Sequence, residues 1–209
     1  TGFSAQNKGW GAELSQAYAR KLDVYNRGFS GYNTEWAKEL LAQLLPKEQS
    51  QYPNGPKIVL MTIFFGANDS VMESFNQRVE LDRYKENLIQ MVNMVKHPNS
   101  QSPDHFQTRV ILITPPPLDE EAWRIARGNV LDRKSDLTRQ YALACVQVAQ
   151  ELDVPVILFK ELMRVILANW PELDPAKLPL IQPDWQDVNV ECDKKIFEFN
   201  GEFIYNRFK

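Results

Sequence analysis

The stretch Ile58–Asp69, with the sequence IVLMTIFFGAND, indicates the fold. Its first eight residues, 58–65, are apolar or β-branched at consecutive positions, and a glycine and polar residues follow. Shorter runs of similar character occur at Val110–Thr114, Val154–Phe159 and Val24–Asn26. Runs that are apolar at consecutive rather than alternate positions are typical of strands covered on both faces, as in a parallel sheet flanked by helices.

Four other segments carry apolar residues at helical spacing and predict amphipathic helices. The four stripes are Trp10, Leu14, Ala17 and Tyr18; Trp36, Leu40, Leu41 and Leu44, ended by Pro46; Leu81, Tyr84, Leu88, Met91, Val92 and Val95; and Leu137, Tyr141, Ala144, Cys145, Val148 and Leu152. Strands that alternate with helices predict an α/β fold: a doubly wound, flavodoxin-like parallel sheet in three α/β/α layers. Ligands bind such sheets beyond the carboxyl ends of the strands.

Composition limits the partners and the compartment. With 209 residues, 44% hydrophobic and 24% charged, the chain is long enough for one domain with a sizeable core. A net charge of -3 and a pI near 5.5 favour neither nucleic acid nor an anionic membrane as a partner. No export signal or membrane-spanning run is visible. Two cysteines, Cys145 and Cys192, make no disulfide framework, which favours the reducing cytoplasm. The oligomeric state is not indicated.

Two loops at predicted strand ends carry residues suited to oxyanion chemistry. In Asn26–Thr34, glycines at positions 28 and 31 allow a sharp turn, and Asn33 or Thr34 is the expected cap of the next helix. In Gly66–Asp69, Asn68 can present side-chain N–H groups to an oxyanion, while the aspartate can bond nearby backbone and fix the loop. Each loop taken alone also fits an ordinary turn.

In combination, the RGFSGYNT loop at 27–34, the IFFGAND strand end at 63–69 and the VILITPPP segment at 110–117 resemble blocks of the SGNH (GDSL) hydrolases, in particular the isoamyl acetate-hydrolysing esterase subgroup. The resemblance implies hydrolysis of small acyl esters through an acyl-serine intermediate, without metal or cofactor. It assigns Gly31 as the backbone donor and Asn68 as the side-chain donor of the oxyanion hole.

The chain departs from that family pattern at the catalytic triad. The family's nucleophile lies in a Gly-Asp-Ser block at the end of the first, central strand, and this chain, which begins at Thr1-Gly2-Phe3-Ser4, is expected to begin past that block. The family's Asp-x-x-His block is not found either, because His97 and His105 lack an aspartate at that spacing and are expected to be solvated loop residues. Near Leu162 and Arg164 the sequence resembles a junction left by an internal deletion, whether by splicing, a gene-model error or natural decay.

Two hypotheses follow, an SGNH esterase by descent or an inactive remnant that binds a ligand or a protein partner. We expect an SGNH-like domain over 1–188 that lacks its first central strand, and an unassigned tail over 189–209. A dinucleotide-binding module is disfavoured because no Gly-x-Gly-x-x-Gly follows a strand.

Several conspicuous side chains receive structural interpretations. Trp123, Trp170 and Trp185 are predicted to be packing residues, and Cys145 a core residue rather than a nucleophile. The acidic run 119–121 is predicted to be a charged helix start rather than a cation site.

Overall fold

The structure, a computed structural model, describes residues 10–45, 58–96 and 108–159. The chain divides into two compact units, Thr1–Tyr32 and Asn33–Lys209. The first unit contains helix α1, and the second contains the remaining elements. In chain order the elements are α1 (Trp10–Ala17), α2 (Thr34–Leu44), β1 (Leu60–Phe64), α3 (Leu81–Lys96), β2 (Arg109–Ile113), α4 (Glu120–Ala126), α5 (Ser135–Glu151) and β3 (Val156–Ile157).

The three strands form one parallel sheet in the order β1-β2-β3. Leu60 pairs with Arg109, and the register continues to Phe64 beside Ile113. Because parallel neighbours require a crossover connection, the helical segments between the strands are a direct consequence of the pairing. The predicted α/β class with a parallel sheet and flanking helices is confirmed.

The core lies between one face of this sheet and the helices α2, α3 and α5. Ile63, Val110 and Leu112 point to this face, since paired positions two residues apart share a side of the pleat. The helices cover them with the apolar stripes predicted for α3 and α5, including Tyr84, Leu88, Met91, Val92, Val95, Tyr141, Ala144, Cys145 and Val148. Burial of each valine, leucine or methionine among them typically stabilises the fold by about 1.5 to 3 kcal/mol.

The prediction of a strand at Val24–Asn26 was wrong. Val24–Asn26 has no strand pairing, and Tyr25 is 67% exposed. An extended segment forms a strand only where a neighbour accepts and donates its backbone hydrogen bonds, and no described strand does so here. The strand β1 is also less covered than predicted, because Thr62 and Phe64 are exposed while Ile63 is buried. Phe64 instead stacks on Phe159, with ring centroids 5.5 Å apart.

Helix α2 forms where predicted, but it buries a different face from the one expected. Trp36 and Leu44 of the predicted stripe are exposed, whereas Thr34 and Lys38 are buried together with Leu41. Hydrogen bonds explain the burial of these polar side chains. Thr34 bonds to Asp69 and Lys38 bonds to Asn87, and a hydrophobic pattern does not reveal such contacts.

Some predictions lie outside the described residues. They are Pro46, which is predicted to end α2, the loop histidines 97 and 105, the junction at 162–164, Trp170 and Trp185, and the tail from 189. Within the three described ranges, no helix has both the length and the apolar character needed to cross a membrane.

Replacing Gly66 is expected to destabilise the fold. Its φ is +118°, and an added Cβ would lie 2.8 Å from Pro115 Cγ and 3.0 Å from Tyr84 Oη. We therefore expect Gly66→Ala to lower the free energy of unfolding by roughly 3 kcal/mol, combining backbone strain with overpacking. Gly128→Ala is the matched control, because its φ is +67° but nothing lies within 4 Å, so it should cost only about 1 kcal/mol. Denaturant unfolding measures both losses, and equal losses would contradict the steric argument.

Candidate active site

The candidate site begins at the turn that ends β1. Gly66 adopts a positive φ, and its carbonyl accepts a hydrogen bond from the Ser70 N–H at 3.0 Å. The Asn68 carbonyl similarly accepts from the Val71 N–H at 3.4 Å. These bonds wind residues 66–71 into a tight turn at the carboxyl end of the strand, where parallel α/β sheets place their ligands.

Asp69 fastens this turn to the start of helix α2. Its carboxylate is fully buried; Oδ1 accepts from the Thr34 N–H at 2.8 Å and from the Thr34 hydroxyl, and Oδ2 accepts from the Gly66 N–H at 3.1 Å. Burial raises the pKa of Asp69 to about 6, while these donors act in the opposite direction. The prediction that this aspartate fixes the loop through a backbone hydrogen bond is confirmed.

A polar network continues from Thr34 into the interface between α2 and α3. Asn87 donates to the Thr34 hydroxyl at 3.2 Å and to Glu35 at 2.7 Å, and it accepts from Lys38 Nζ at 3.0 Å. Arg83 completes the cluster with two bonds to Glu35, at 2.9 and 2.7 Å. The Arg83 guanidinium holds the pKa of Glu35 at about 2. Because every polar group named here has a partner, the network can specify one packing of the two helices.

Asn33 caps α2 and also holds the neighbouring loop. Its side-chain oxygen accepts from the Trp36 N–H at 3.0 Å, while its side-chain nitrogen donates to the Gln77 carbonyl at 3.0 Å. Of the two predicted caps, Asn33 is therefore the residue that serves. Thr34 is the first helical residue and supplies its N–H to Asp69 instead.

Asn68 is held by a contact at its amide oxygen. Arg133 Nη2 donates to Asn68 Oδ1 at 2.8 Å, across 65 residues of sequence. Because a guanidinium only donates, this contact distinguishes the oxygen of the amide from the nitrogen. The N–H donors of Asn68 therefore lie at the other end of the amide, which is the polarity that stabilisation of an oxyanion requires.

Gly31 belongs to the first compact unit. It has a φ of +83° in a turn closed by the bond from the Tyr32 N–H to the Phe29 carbonyl at 3.3 Å. A positive φ explains why glycine occupies this position. Its assignment as the backbone oxyanion donor remains a prediction.

A cluster of Trp123, Asp132 and Arg133 lies beside Asn68 and was not predicted from the sequence. Arg133 lies over the Trp123 ring at 4.5 Å, and the Trp123 indole N–H donates to Asp132 at 2.6 Å. The backbone of Asp132 accepts from the Met72 N–H at 2.8 Å. Trp123 thus packs against a side chain, in agreement with its predicted role. No spacing in the sequence connects the Asp132-Arg133 pair to the distant turn that contains Asn68. The available signal is the pair of adjacent charges before helix α5.

Two structural interpretations are confirmed. Asp119 caps α4 by accepting from the Ala122 N–H at 2.9 Å, so the acidic run 119–121 begins a helix. Cys145 is buried in the core, where burial raises the pKa of its thiol to about 12, unsuitable for a thiolate nucleophile. Among the described residues, no group of three or more His, Cys, Asp or Glu side chains is arranged to hold a metal ion.

A parallel α/β sheet with an Asn-Asp turn at a strand's carboxyl end agrees with the fold expected of an SGNH-type hydrolase. The profile of the GDSL-like Lipase/Acylhydrolase family matches residues 1–178, and the chain belongs to that family. It is 45% identical to the mouse protein named isoamyl acetate-hydrolyzing esterase 1 homolog, and 40% identical to the human protein of the same name. Each alignment covers 90% of this chain and 84% of the relative.

Solved structures support the fold. A carbohydrate acetylesterase family member from Sinorhizobium meliloti superimposes with a TM-score of 0.56 at 18% identity, over 74% of this chain and 72% of that one. A lipase/acylhydrolase from Enterococcus faecalis gives a TM-score of 0.52 at 22% identity, over 82% and 74% of the two chains.

The buried Asp69 carboxylate is expected to make stability depend on pH. Because its folded pKa of about 6 lies above the usual 3.8, the folded state binds the proton more tightly than the unfolded state. This contribution is fully present below pH 3.8 and is lost as the pH rises through 6. Relative to Asp69→Asn, which does not titrate there, the wild type should therefore lose up to about 3 kcal/mol between pH 4 and pH 7. Urea unfolding of both proteins across this range measures the difference. A difference that grew with pH would instead show that the three donors depress the pKa.

Proposed function

We propose that this chain carries the oxyanion-stabilising part of a hydrolase for small carboxylic esters, acetate esters in particular. The observation that carries the proposal is the orientation of Asn68 at the end of β1, with its oxygen bonded to Arg133 and its N–H donors at the opposite end. The mouse and human relatives, named as isoamyl acetate-hydrolyzing esterase homologs, support this class of substrate.

In the proposed reaction, a serine hydroxyl attacks the ester carbonyl while a general base takes its proton, and the carbonyl oxygen becomes the oxyanion of a tetrahedral intermediate. Asn68 donates from its side chain to this oxygen. Collapse of the intermediate breaks the ester C–O bond, the protonated base gives its proton to the leaving oxygen to form the alcohol, and water then hydrolyses the acyl-serine. Because the charge develops on one oxygen, fixed hydrogen-bond donors suffice, and the proposal requires neither a metal nor a cofactor.

We further propose that the 209-residue chain has little or no hydrolytic activity by itself. Its sequence contains neither a Gly-Asp-Ser nor an Asp-x-x-His pattern. The alignment with the human relative supports an internal gap in this chain. It spans 218 positions but covers 90% of the 209 residues, which is about 188, so the remaining positions are gaps in this chain. Without a nucleophile and base, only positioning and oxyanion stabilisation remain. The second candidate function is therefore an inactive member of the family that binds a small ester or a protein partner.

The partner and the compartment complete the proposal. A small-molecule ester is the expected ligand, and the acidic composition gives nucleic acid and anionic membranes no basic surface. Assignment to the cytoplasm remains a prediction from cysteine usage.

A hydrolysis assay of the purified 209-residue chain on p-nitrophenyl acetate, with circular dichroism on the same sample, tests the proposed inactivity. We expect a folded protein whose rate does not exceed the uncatalysed rate. Turnover abolished by a serine-directed phosphonate would contradict the proposal and place a nucleophile within this chain. Ser4 and Ser30 would then be substituted first.

A chimera tests the role of Asn68. The mouse relative's segments that have no counterpart here are inserted into this chain, and we expect hydrolysis of p-nitrophenyl acetate to appear. In that chimera, Asn68→Asp keeps an acceptor for Arg133 but removes the N–H donors. It should lower kcat on the order of a hundredfold or more, with little change in KM. Asn93→Asp, an exposed position with the same change of charge, is the control and should leave kcat unchanged. Equal kcat values for the two variants would exclude the oxyanion role.

A further inference from the structure

We infer that Arg133 is a positioning residue that orients and polarises the Asn68 amide, so that its N–H end faces the ester oxyanion. This inference rests on the proposed function, because it assigns a purpose to a contact within the same site. Arg133 touches Asn68 rather than the reacting atoms, and it acts through that amide.

The geometry of the contact selects one orientation of the Asn68 amide. Arg133 Nη2 lies 2.8 Å from Asn68 Oδ1 and donates to it. The opposite amide orientation would bring the Asn68 NH₂ group against the guanidinium, where two donors would face each other without an acceptor. The cation therefore selects one of the two orientations that an asparagine side chain can adopt.

Arg133 is itself fixed in position. Its backbone pairs with Val71 in an antiparallel bridge, three residues beyond Asn68, and its guanidinium lies 4.5 Å from the centroid of the Trp123 ring. The indole N–H of Trp123 is in turn bonded to Asp132 at 2.6 Å. A side chain whose backbone is paired, and whose guanidinium lies against a ring that is itself held by a hydrogen bond, has little rotamer freedom, so it can position its partner accurately.

The surroundings of Arg133 leave its guanidinium incompletely paired. Arg133 Nε is buried and has no hydrogen-bond partner among the described residues. Burial also lowers the pKa of Arg133 below its ordinary value. A half-buried cation that is incompletely paired is costly for stability, and such departures from good packing are expected where function requires them.

The contact also changes the chemistry of the amide. A cation that donates to the carbonyl oxygen withdraws electron density from the amide and makes its N–H groups stronger donors, since hydrogen bonds in a chain polarise one another. Arg133 would therefore strengthen the donors that stabilise the oxyanion as well as aim them.

Arg127 provides a matched control. It lies over the same Trp123 ring at 5.7 Å and 4.0 Å from Asp132, but its side chain is mostly exposed and its described contacts do not include Asn68. Replacing Arg127 removes the same charge from the same neighbourhood and leaves the Arg133–Asn68 bond in place.

The test uses NMR of the full 209-residue chain, with the Asn68 side-chain amide signals assigned by their loss in Asn68→Asp. In Arg133→Met we expect these proton signals to move upfield, and phenyl acetate to bind about tenfold more weakly than to the wild type. Arg133→Lys keeps a charge and a donor. Its Asn68 signals and its affinity for phenyl acetate should therefore lie between those of the wild type and those of Arg133→Met. Arg127→Met should change neither. If Arg133→Met does not fold, Arg133→Gln replaces it; this variant keeps a donor without the charge, so the signals should still move upfield.

The outcomes separate the two proposals. Asn68 signals that respond no more to Arg133→Met or Arg133→Gln than to Arg127→Met would overturn the positioning role. If those signals respond to the Arg133 variants while phenyl acetate shifts none of them in the wild type, the positioning of the amide is supported and ester binding by this chain fails.

Discussion

The buried Asp69 carboxylate is the interaction on which the rest of the described site depends. It joins the end of strand β1, through the Gly66 N–H, to the first residue of helix α2, through the N–H and hydroxyl of Thr34. A buried carboxylate is tolerated only if it is well hydrogen-bonded, and three donors meet this requirement. The turn after β1 is therefore fixed to the start of α2 by the hydrogen bonds of this carboxylate.

This constraint places Asn68, the residue that precedes the aspartate, in a rigid turn. Gly66 permits the turn because only glycine readily adopts its backbone angle so close to Pro115. From the other side, Arg133 fixes the orientation of the Asn68 side chain. A catalytic donor needs this preorganisation, because a donor that must reorient during the reaction gives back much of the stabilisation it provides.

Membership of the GDSL-like Lipase/Acylhydrolase family and the parallel sheet agree with ester hydrolysis as the ancestral chemistry. The described residues include a turn fixed by Asp69 and an amide bonded to Arg133. The parts that supply a nucleophile and a proton acceptor are not recognisable in the sequence given.

The sequence by itself determined the class of fold, because consecutive apolar runs and helical stripes such as that of α3 report burial directly. It also indicated Asn68 and Asp69, since polar residues at a strand's carboxyl end are expected to be functional. It failed at Val24–Asn26, where pairing depends on a neighbouring strand and not on local propensity. Only the tertiary structure brought Arg133 to Asn68, because that contact is decided by how strand ends and loops 65 residues apart come together, and periodicity within a segment carries no information about it.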